Sequence, residues 1–296
     1  MHVNIFCIGD IVGQPGRTFL ANALPALIKY RNIDLVVANA ENAAGGSGLT
    51  PQIFTKLQHY GVDVVTLGDH CYKRYEIIPL MGSTDRLVRP ANLPPGAAGR
   101  AWTVVKSRNG VPVGVTCLLG RLYMKPMDCP FRTADQVVQE IRRQTNVVIV
   151  EVHAEATSEK VALGWYLDGK ASLVFGTHTH VPTADGRVLP HGTGYITDLG
   201  MTGPYESVLG RSKEKVIRSL ISGMPNMYNI AEKDLRAAGV LVTVDGSTGR
   251  AVSLEPIIID QGMVDSMRAE LKARQINVPT VAAEPESPAE ETEGGE

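Results

Sequence analysis

The sequence predicts a layered α/β fold whose sheets are mixed rather than purely parallel, and three observations predict it. Short apolar runs that end in polar residues recur along the chain. Stretches with helix start and stop signals alternate with them, which argues for an α/β core. Two regions break this alternation with hairpin signals, so antiparallel strands must join the parallel ones.

Taken in order, "VNIFCIGD" is an apolar run ending on Gly9-Asp10, and "PGRTFLANALPALIKY" follows as a helix with Pro15 in its first turn. "IDLVVANAEN" is the second run. "TPQIFTKLQHYG" then offers Thr50 as N-cap, Pro51 as first helical residue and Gly61 as terminator. "VDVVTLGDH" is a third run, while "NVVIVEVHAEATSEK" and "ASLVFGTHTH" repeat the pattern later, with helices in "TADQVVQEIRRQ" and "SEKVALGWYLDG". The hairpins are "AWTVVKSRNGVPVGVTCLLG", turning at Asn109-Gly110, and "GVLVTVDGSTGRAVSLEPIIID". These elements make one domain over residues 1–275. From residue 276 to 296 the chain is rich in Pro, Ala and Glu and is expected to be a disordered acidic tail.

Composition narrows the function. A chain of 296 residues that is 44% hydrophobic can bury a substantial core. Its net charge of -2 provides no general basic field, so no stable nucleic-acid complex is expected, and a phosphate-bearing substrate would need a local site. No apolar run approaches the roughly 18 residues of a membrane helix, and the N-terminus lacks the basic start and apolar stretch of a signal peptide, which points to the cytoplasm. Cys7, Cys71, Cys117 and Cys129 have no CxxC spacing and read as reduced thiols.

Polar residues gather just after the apolar runs: Asp10, Asn39, Glu41, Asn42, Asp69, His70, His153, His178 and His180. Loops beyond the carboxyl ends of strands in an α/β sheet converge on one crevice, so these residues can meet there. Imidazoles and carboxylates mixed in one site suit manganese, iron or zinc. So many ligands suit two ions, which together activate a water and neutralise the oxygens of a phosphoryl displacement. In "GTHTH" an extended backbone would project His178 and His180 to one side and Thr179 to the other.

The stretches "GDIVG", "ANAENAAGGSGLT", "LGDH", "VHAEATSEK" and "GTHTHVPTAD" resemble, in this order, the calcineurin-like metallophosphoesterases, and more closely the bacterial YmdB-type phosphodiesterases. The resemblance extends through "YITDLGMTGPYESVLG" to the last hairpin. It implies a four-layer αββα sandwich with two mixed sheets, a dinuclear centre usually assigned as iron, and phosphodiesterase activity that includes 2',3'-cyclic nucleotides. Position by position, it makes Asp10, Glu41 and His180 ligands of one metal with Glu41 bridging. Asn42, Asp69, His153 and His178 complete the second site or lie close to it, and His70 donates a proton to the leaving oxygen. Two departures from the wider superfamily, Val12 where a histidine is usual and Glu41 where an aspartate is usual, match the YmdB-like branch. A third, Asp69 in Gly68-Asp69-His70 where asparagine is usual, adds a negative charge that favours hard or oxidised metal.

Other stretches have two readings. Arg89 and Asn92 in "VRPANLPPG" and Arg121 and Tyr123 in "GRLYMKP" either approach substrate or hold loops, and Tyr205 either stacks on a base or is half-buried structure. Cys71, beside His70, is either a redox modulator or core. Against nucleotide-cofactor binding, "GDIVGQPG" lacks Gly-x-Gly. Against a zinc protease, "HAEATSEK" is no HExxH helix, and an amidohydrolase barrel would carry His-x-His on its first strand. The expectation is therefore a cytoplasmic dinuclear phosphodiesterase acting on a small phosphodiester or cyclic nucleotide. The alternatives are a phosphomonoesterase or a metal-bearing nucleotide sensor with little turnover, and homo-oligomerisation is open.

Overall fold

The computed structural model describes residues 1–279 and 281, so the acidic tail expected over 276–296 falls mostly outside the described residues. From the N-terminus run β1 (His2–Ile8), β2 (Asp10–Ile11), α1 (Gly13–Arg31), β3 (Leu35–Asn39), α2 (Pro51–Tyr60), β4 (Val64–Thr66), α3 (Ile78–Ser83) and β5 (Leu87–Val88). The middle of the chain forms β6 (Trp102–Lys106), β7 (Pro112–Leu119), α4 (Pro130–Arg142), β8 (Val147–His153), α5 (Thr157–Tyr166) and β9 (Leu173–Thr177). The rest forms β10 (Arg187–Val188), β11 (Gly194–Ile196), β12 (Met201–Pro204), α6 (Lys213–Ser222), β13 (Leu235–Asp245), β14 (Ala251–Ile259) and α7 (Gln261–Ala273).

Local chemistry accounts for the element boundaries. Thr50 caps α2 through its hydroxyl, which accepts from the Ile53 amide, and the helix stops at Gly61 in the left-handed conformation. Helix α4 starts three residues earlier than its polar pattern suggests because Pro130 takes the first helical position. Both hairpins form as expected, β6 with β7 and β13 with β14.

The first sheet has the order β2-β12-β13-β1-β3-β4-β5, with β14 also paired to β13. Within it β1, β3, β4 and β5 run parallel, and β13 is antiparallel to β1. The second sheet has the order β10-β11-β9-β8-β7-β6, parallel from β11 to β7 and antiparallel at both edges. Both sheets are therefore mixed.

Strand alternation sorts the side chains into three cores and so into four layers. Phe6, Ile8, Val36 and Ala38 pack against Leu20 and Leu24 of α1, Leu57 of α2 and Val264 of α7. On the opposite face, Val3, Ile5, Cys7, Leu35 and Val37 meet Val113, Val115, Val147, Ile149, Leu173 and Phe175 of the second sheet. The outer face of that sheet, with Val148, Val150 and Val174, is covered by Val138 and Ile141 of α4 and Leu163 of α5. Each fully buried aliphatic side chain of this kind contributes about 1.5–3 kcal/mol.

The layer between the sheets positions the site. In β8, Val147 and Ile149 point into it, and Glu151 and His153 follow on the same face at the carboxyl end. In β3, Leu35 and Val37 are followed on that face by Asn39, and in β9 Leu173 and Phe175 are followed by Thr177. The inter-sheet core thus changes from apolar to polar at one end, where the parallel strands of both sheets terminate.

Candidate metal centre

Each candidate ligand lies in a strand at this polar end or within four residues of one. Asp10 opens the two-residue β2, Glu41 and Asn42 follow β3, Asp69 and His70 follow β4, His153 closes β8, and His178 and His180 follow β9. Glu41, Asp69, His153 and His178 offer ligand atoms that all lie within 4.8 Å of one another. His153 Nε2 is their focus, 3.1 Å from Glu41 Oε1, 3.1 Å from Asp69 Oδ1 and 3.0 Å from His178 Nδ1. Such convergence on one nitrogen can be satisfied by a proton or by a metal ion.

A second group adjoins the first. Asp10 Oδ1 is fully buried with no hydrogen-bond partner, and it faces His180 Nε2 at 3.8 Å. An orphaned carboxylate oxygen beside an imidazole nitrogen is costly as protein alone and is suited to a cation. Asn42 belongs to this side: its Nδ2 donates to His180 Nε2 (3.2 Å), and its Oδ1 accepts from His70 Nδ1 (2.9 Å). The donor set and the orphaned oxygen together fit hard or borderline transition-metal ions.

Groups behind the ligands fix their orientation. His180 donates from Nδ1 to the Leu209 carbonyl at 3.1 Å, leaving Nε2 for the site. Thr177 donates to Glu151 Oε1 (2.6 Å) and therefore accepts from His153 Nδ1 (2.9 Å). Asn39 joins this array by donating to Glu151 Oε1 (2.6 Å) while its Oδ1 accepts from the Glu41 amide (3.0 Å). Asn39, a candidate from its strand-end position, is thus a support for Glu41 and His153. Gly68 is needed for close approach, because a Cβ there would come within 2.3 Å of the His153 ring and 2.4 Å of Glu41 Oε2.

The structure corrects the expected geometry of His-Thr-His. Strand β9 stops at Thr177, and His178 (φ 90°) and His180 (φ 62°) both have left-handed backbone, so simple strand alternation is not what turns their rings inward. The loop is held instead through Thr179, whose hydroxyl donates to Asp198 Oδ2 (2.6 Å), an oxygen that also accepts from buried Lys160 Nζ (2.6 Å). Asp198 Oδ1 accepts from the Gly200 amide at 2.8 Å. The Asp198 carboxylate thus ties Thr179, between the two left-handed histidines, to Lys160 and Gly200.

Electrostatics divide the two groups. Burial lifts the Asp10 carboxyl from its ordinary 3.8 to about 6, although His180 and His153 pull the other way. In the other group burial also disfavours charge, but the neighbours overcome it: His153 and His70 hold Glu41 below its ordinary value, and the same histidines with His178 hold Asp69 well below. Burial likewise opposes the His153 cation, yet Glu41, Asp69 and Glu151 hold its pKa well above the usual range. Burial and the neighbouring His153 depress His178. These neighbours favour the charged form of the Asp69 carboxylate.

A YmdB-like family model matches residues 6–257. This chain belongs to the YmdB-like family. It is 44% identical, over 87% of its own length and 97% of the relative's, to the 2',3'-cyclic-nucleotide 2'-phosphodiesterase of Bacillus subtilis (strain 168). It also resembles the crystal structure of a novel phosphatase from Mycoplasma pneumoniae, with a TM-score of 0.82, 33% identity and coverage of 90% and 97% of the two chains. A hypothetical protein of Thermus thermophilus superposes with a TM-score of 0.81 at 40% identity, over 87% of this chain and 99% of that one.

In this YmdB-like chain Val12 does not reach the ligands. It is buried, and its Cβ and Cγ1 lie where the backbones of Gly203 and Gly210 pass, so packing has taken the place of a ligand. Among the less decisive candidates, Arg89, Asn92 and Tyr205 are engaged in structural contacts. Arg89 donates to the Pro90 and Ala97 carbonyls (2.7 and 3.4 Å), and Asn92 is bonded to Leu119 and Asp128 backbone. Tyr205 donates to the Met201 carbonyl at 3.1 Å and lies under Arg236. The Arg121 amide is held by Glu159, and Tyr123 stands 89% exposed. Burial pushes the Cys71 thiol up to about 12, which removes the thiolate that oxidation needs. Among the described residues, no helix is long and apolar enough to cross a membrane.

The raised Asp10 pKa has a measurable sign. A carboxyl that titrates near 6 when folded and near 3.8 when unfolded favours folding at low pH and loses that contribution as pH rises through about 6. Asp10→Asn is therefore expected to stabilise the metal-stripped protein at pH 8 by about 2–3 kcal/mol, with the advantage vanishing as pH falls toward 4. Thermal melts at the two pH values check it, and equal melting points at pH 8 would contradict it.

Proposed function

We propose that this chain is a dinuclear metal-dependent phosphodiesterase whose substrates include 2',3'-cyclic nucleotides. The observation that carries this reading is the pair of adjoining ligand groups: Glu41, Asp69, His153 and His178 on one side, and the orphaned Asp10 oxygen facing His180 beside Asn42 on the other. Glu41 is the residue that would be shared if two ions bind. The B. subtilis relative's activity supports the substrate class. Ions bound here would supply an activated water and neutralise charge on the phosphoryl oxygens. Iron is the metal the resemblance favours, with manganese or zinc as alternatives.

The residues of the chain supply the rest. Asn42 holds His70 through Nδ1, which leaves Nε2 as the atom that can hand a proton to the departing oxygen. His70 sits at the mouth of the site with its side chain 30% exposed, whereas the His153 and Glu41 side chains below it are 0% and 1% exposed. A leaving alcohol directed to solvent would pass His70. Arg89 and Asn92 bond to backbone around their own loop, which weighs against that loop as the clamp for a terminal phosphate.

Comparing bis(p-nitrophenyl) phosphate with p-nitrophenyl phosphate, on protein of measured metal content, tests the reading. The diester is expected to give the higher kcat/KM by at least about tenfold, a difference of about 1.4 kcal/mol in transition-state binding. Preference for the monoester would favour the phosphatase alternative, and tight nucleotide binding without turnover would favour a sensor.

A further inference from the structure

Beyond the ligands, Arg211 near the site forms no ion pair among the described residues. Most arginines that form ion pairs here do so on the surface: Arg31 with Glu255, Arg108 with Asp63, Arg236 with Asp234. Arg211 is half-buried, and among the described residues it pairs with no carboxylate; its guanidinium donates from Nη2 to the Gly46 carbonyl at 2.9 Å. A guanidinium has five N–H donors in a fixed fork, so most of this fork is unused. Burial accordingly lowers its pKa, with no acidic group opposing the shift.

Its position is set by the same turn that holds His180. Val208 and Arg211 exchange backbone hydrogen bonds (2.9 and 3.0 Å) across Leu209 (φ 52°) and Gly210 (φ 92°), a tight two-residue turn of the kind that needs positive φ at both positions. The Leu209 carbonyl of this turn accepts from His180 Nδ1. The guanidinium lies against Gly46, within 2.6–2.8 Å of where a Cβ would stand, and the φ of 85° there favours glycine. That loop begins at the site, since Gly45 and Gly46 follow Asn42 by three and four residues. Both glycines are buried, and their amides donate to no backbone carbonyl.

A half-buried unpaired guanidinium beside free amides at positive-φ glycines is the arrangement that binds an oxyanion. We propose that Arg211 and the Gly45-Gly46 amides form a phosphate-oxygen subsite on the Asn42 and His180 flank of the centre. It rests on the phosphodiesterase reading for its role in turnover, though not for its affinity toward phosphate. The oxygen belongs either to the reacting phosphate or to the neighbouring phosphate of a longer substrate.

The test uses metal-quantified wild type, Arg211→Gln and Arg211→Lys. Calorimetry gives the Kd of inorganic phosphate, and kinetics give KM for 2',3'-cyclic AMP and for a dinucleotide ending in a 2',3'-cyclic phosphate. Arg211→Gln is expected to weaken phosphate by about 10- to 100-fold at unchanged metal content, with Arg211→Lys intermediate because it keeps charge but not the fork. A raised KM for both substrates assigns the oxygen to the reacting phosphate, and a raised KM for the dinucleotide alone assigns it to the neighbour. If Arg211→Gln folds poorly, Arg211→Lys with normal melting and weakened phosphate carries the result. Phosphate affinity and both KM values within twofold of wild type would overturn the subsite. Absence of turnover in wild type, with phosphate binding still lost in Arg211→Gln, would instead sink the phosphodiesterase reading and keep the subsite.

Discussion

Replacing His70 with alanine is expected to lower kcat for 2',3'-cyclic AMP by about 10²–10⁴-fold while metal content stays at the wild-type level. The structure separates the two effects. The His70 backbone amide donates to Glu41 Oε2 at 2.9 Å, and alanine keeps that bond, so the cradle around Glu41 survives. What disappears is the imidazole whose Nδ1 is fixed by Asn42 and whose Nε2 remains for the leaving oxygen. A substrate with an intrinsically good leaving group needs less help from an acid, so the defect should shrink with bis(p-nitrophenyl) phosphate. Measuring kcat for both substrates beside metal analysis decides it. An equal loss on both would assign His70 a positioning role.

Glu41→Ala is expected to remove metal together with activity. Its carboxylate lies 3.1 Å from His153 Nε2 and 3.5 Å from His70 Nδ1, is 1% exposed, and is close enough to Asp10 of the other ligand group to act on its charge. Deleting a bridging ligand affects both ions, so the loss in metal affinity should exceed the roughly 10–100-fold typical of outer-shell partners. The variant also leaves His153 with less carboxylate around it, which should lower the imidazole pKa from its raised value. Metal analysis after dialysis, together with the histidine titration, checks both consequences. Two retained metal equivalents in Glu41→Ala would remove Glu41 from the centre.

Much of the fold is legible in the residues because its signals are local. Thr50, Pro51 and Gly61 delimit a helix by capping chemistry alone, and Asn109-Gly110 marks a hairpin. The ligands are legible for a related reason: a polar residue just past an apolar run lies at a strand end, and parallel strands bring their ends together. Glu151 and Thr177 escaped notice because they lie inside apolar runs, where only the alternation of faces separates them from Val150 and Phe175. Asp198 and Lys160 escaped because the pair they form spans 38 positions and supports a loop that neither adjoins in sequence. The left-handed backbone of His178 and His180 has no signal of its own, since left-handed positions favour glycine or asparagine. Arg211 follows directly on Gly210, but only the structure shows that it forms no ion pair among the described residues.

The most direct test of the account is 2',3'-cyclic AMP hydrolysis titrated against metal. Protein stripped by chelator and reloaded with iron or manganese under quantified conditions should be inactive when stripped and should gain rate up to two equivalents per chain. Full turnover by the stripped protein, or a rate that saturates at one equivalent, would contradict the dinuclear centre built from Asp10, Glu41, Asn42, Asp69, His153, His178 and His180.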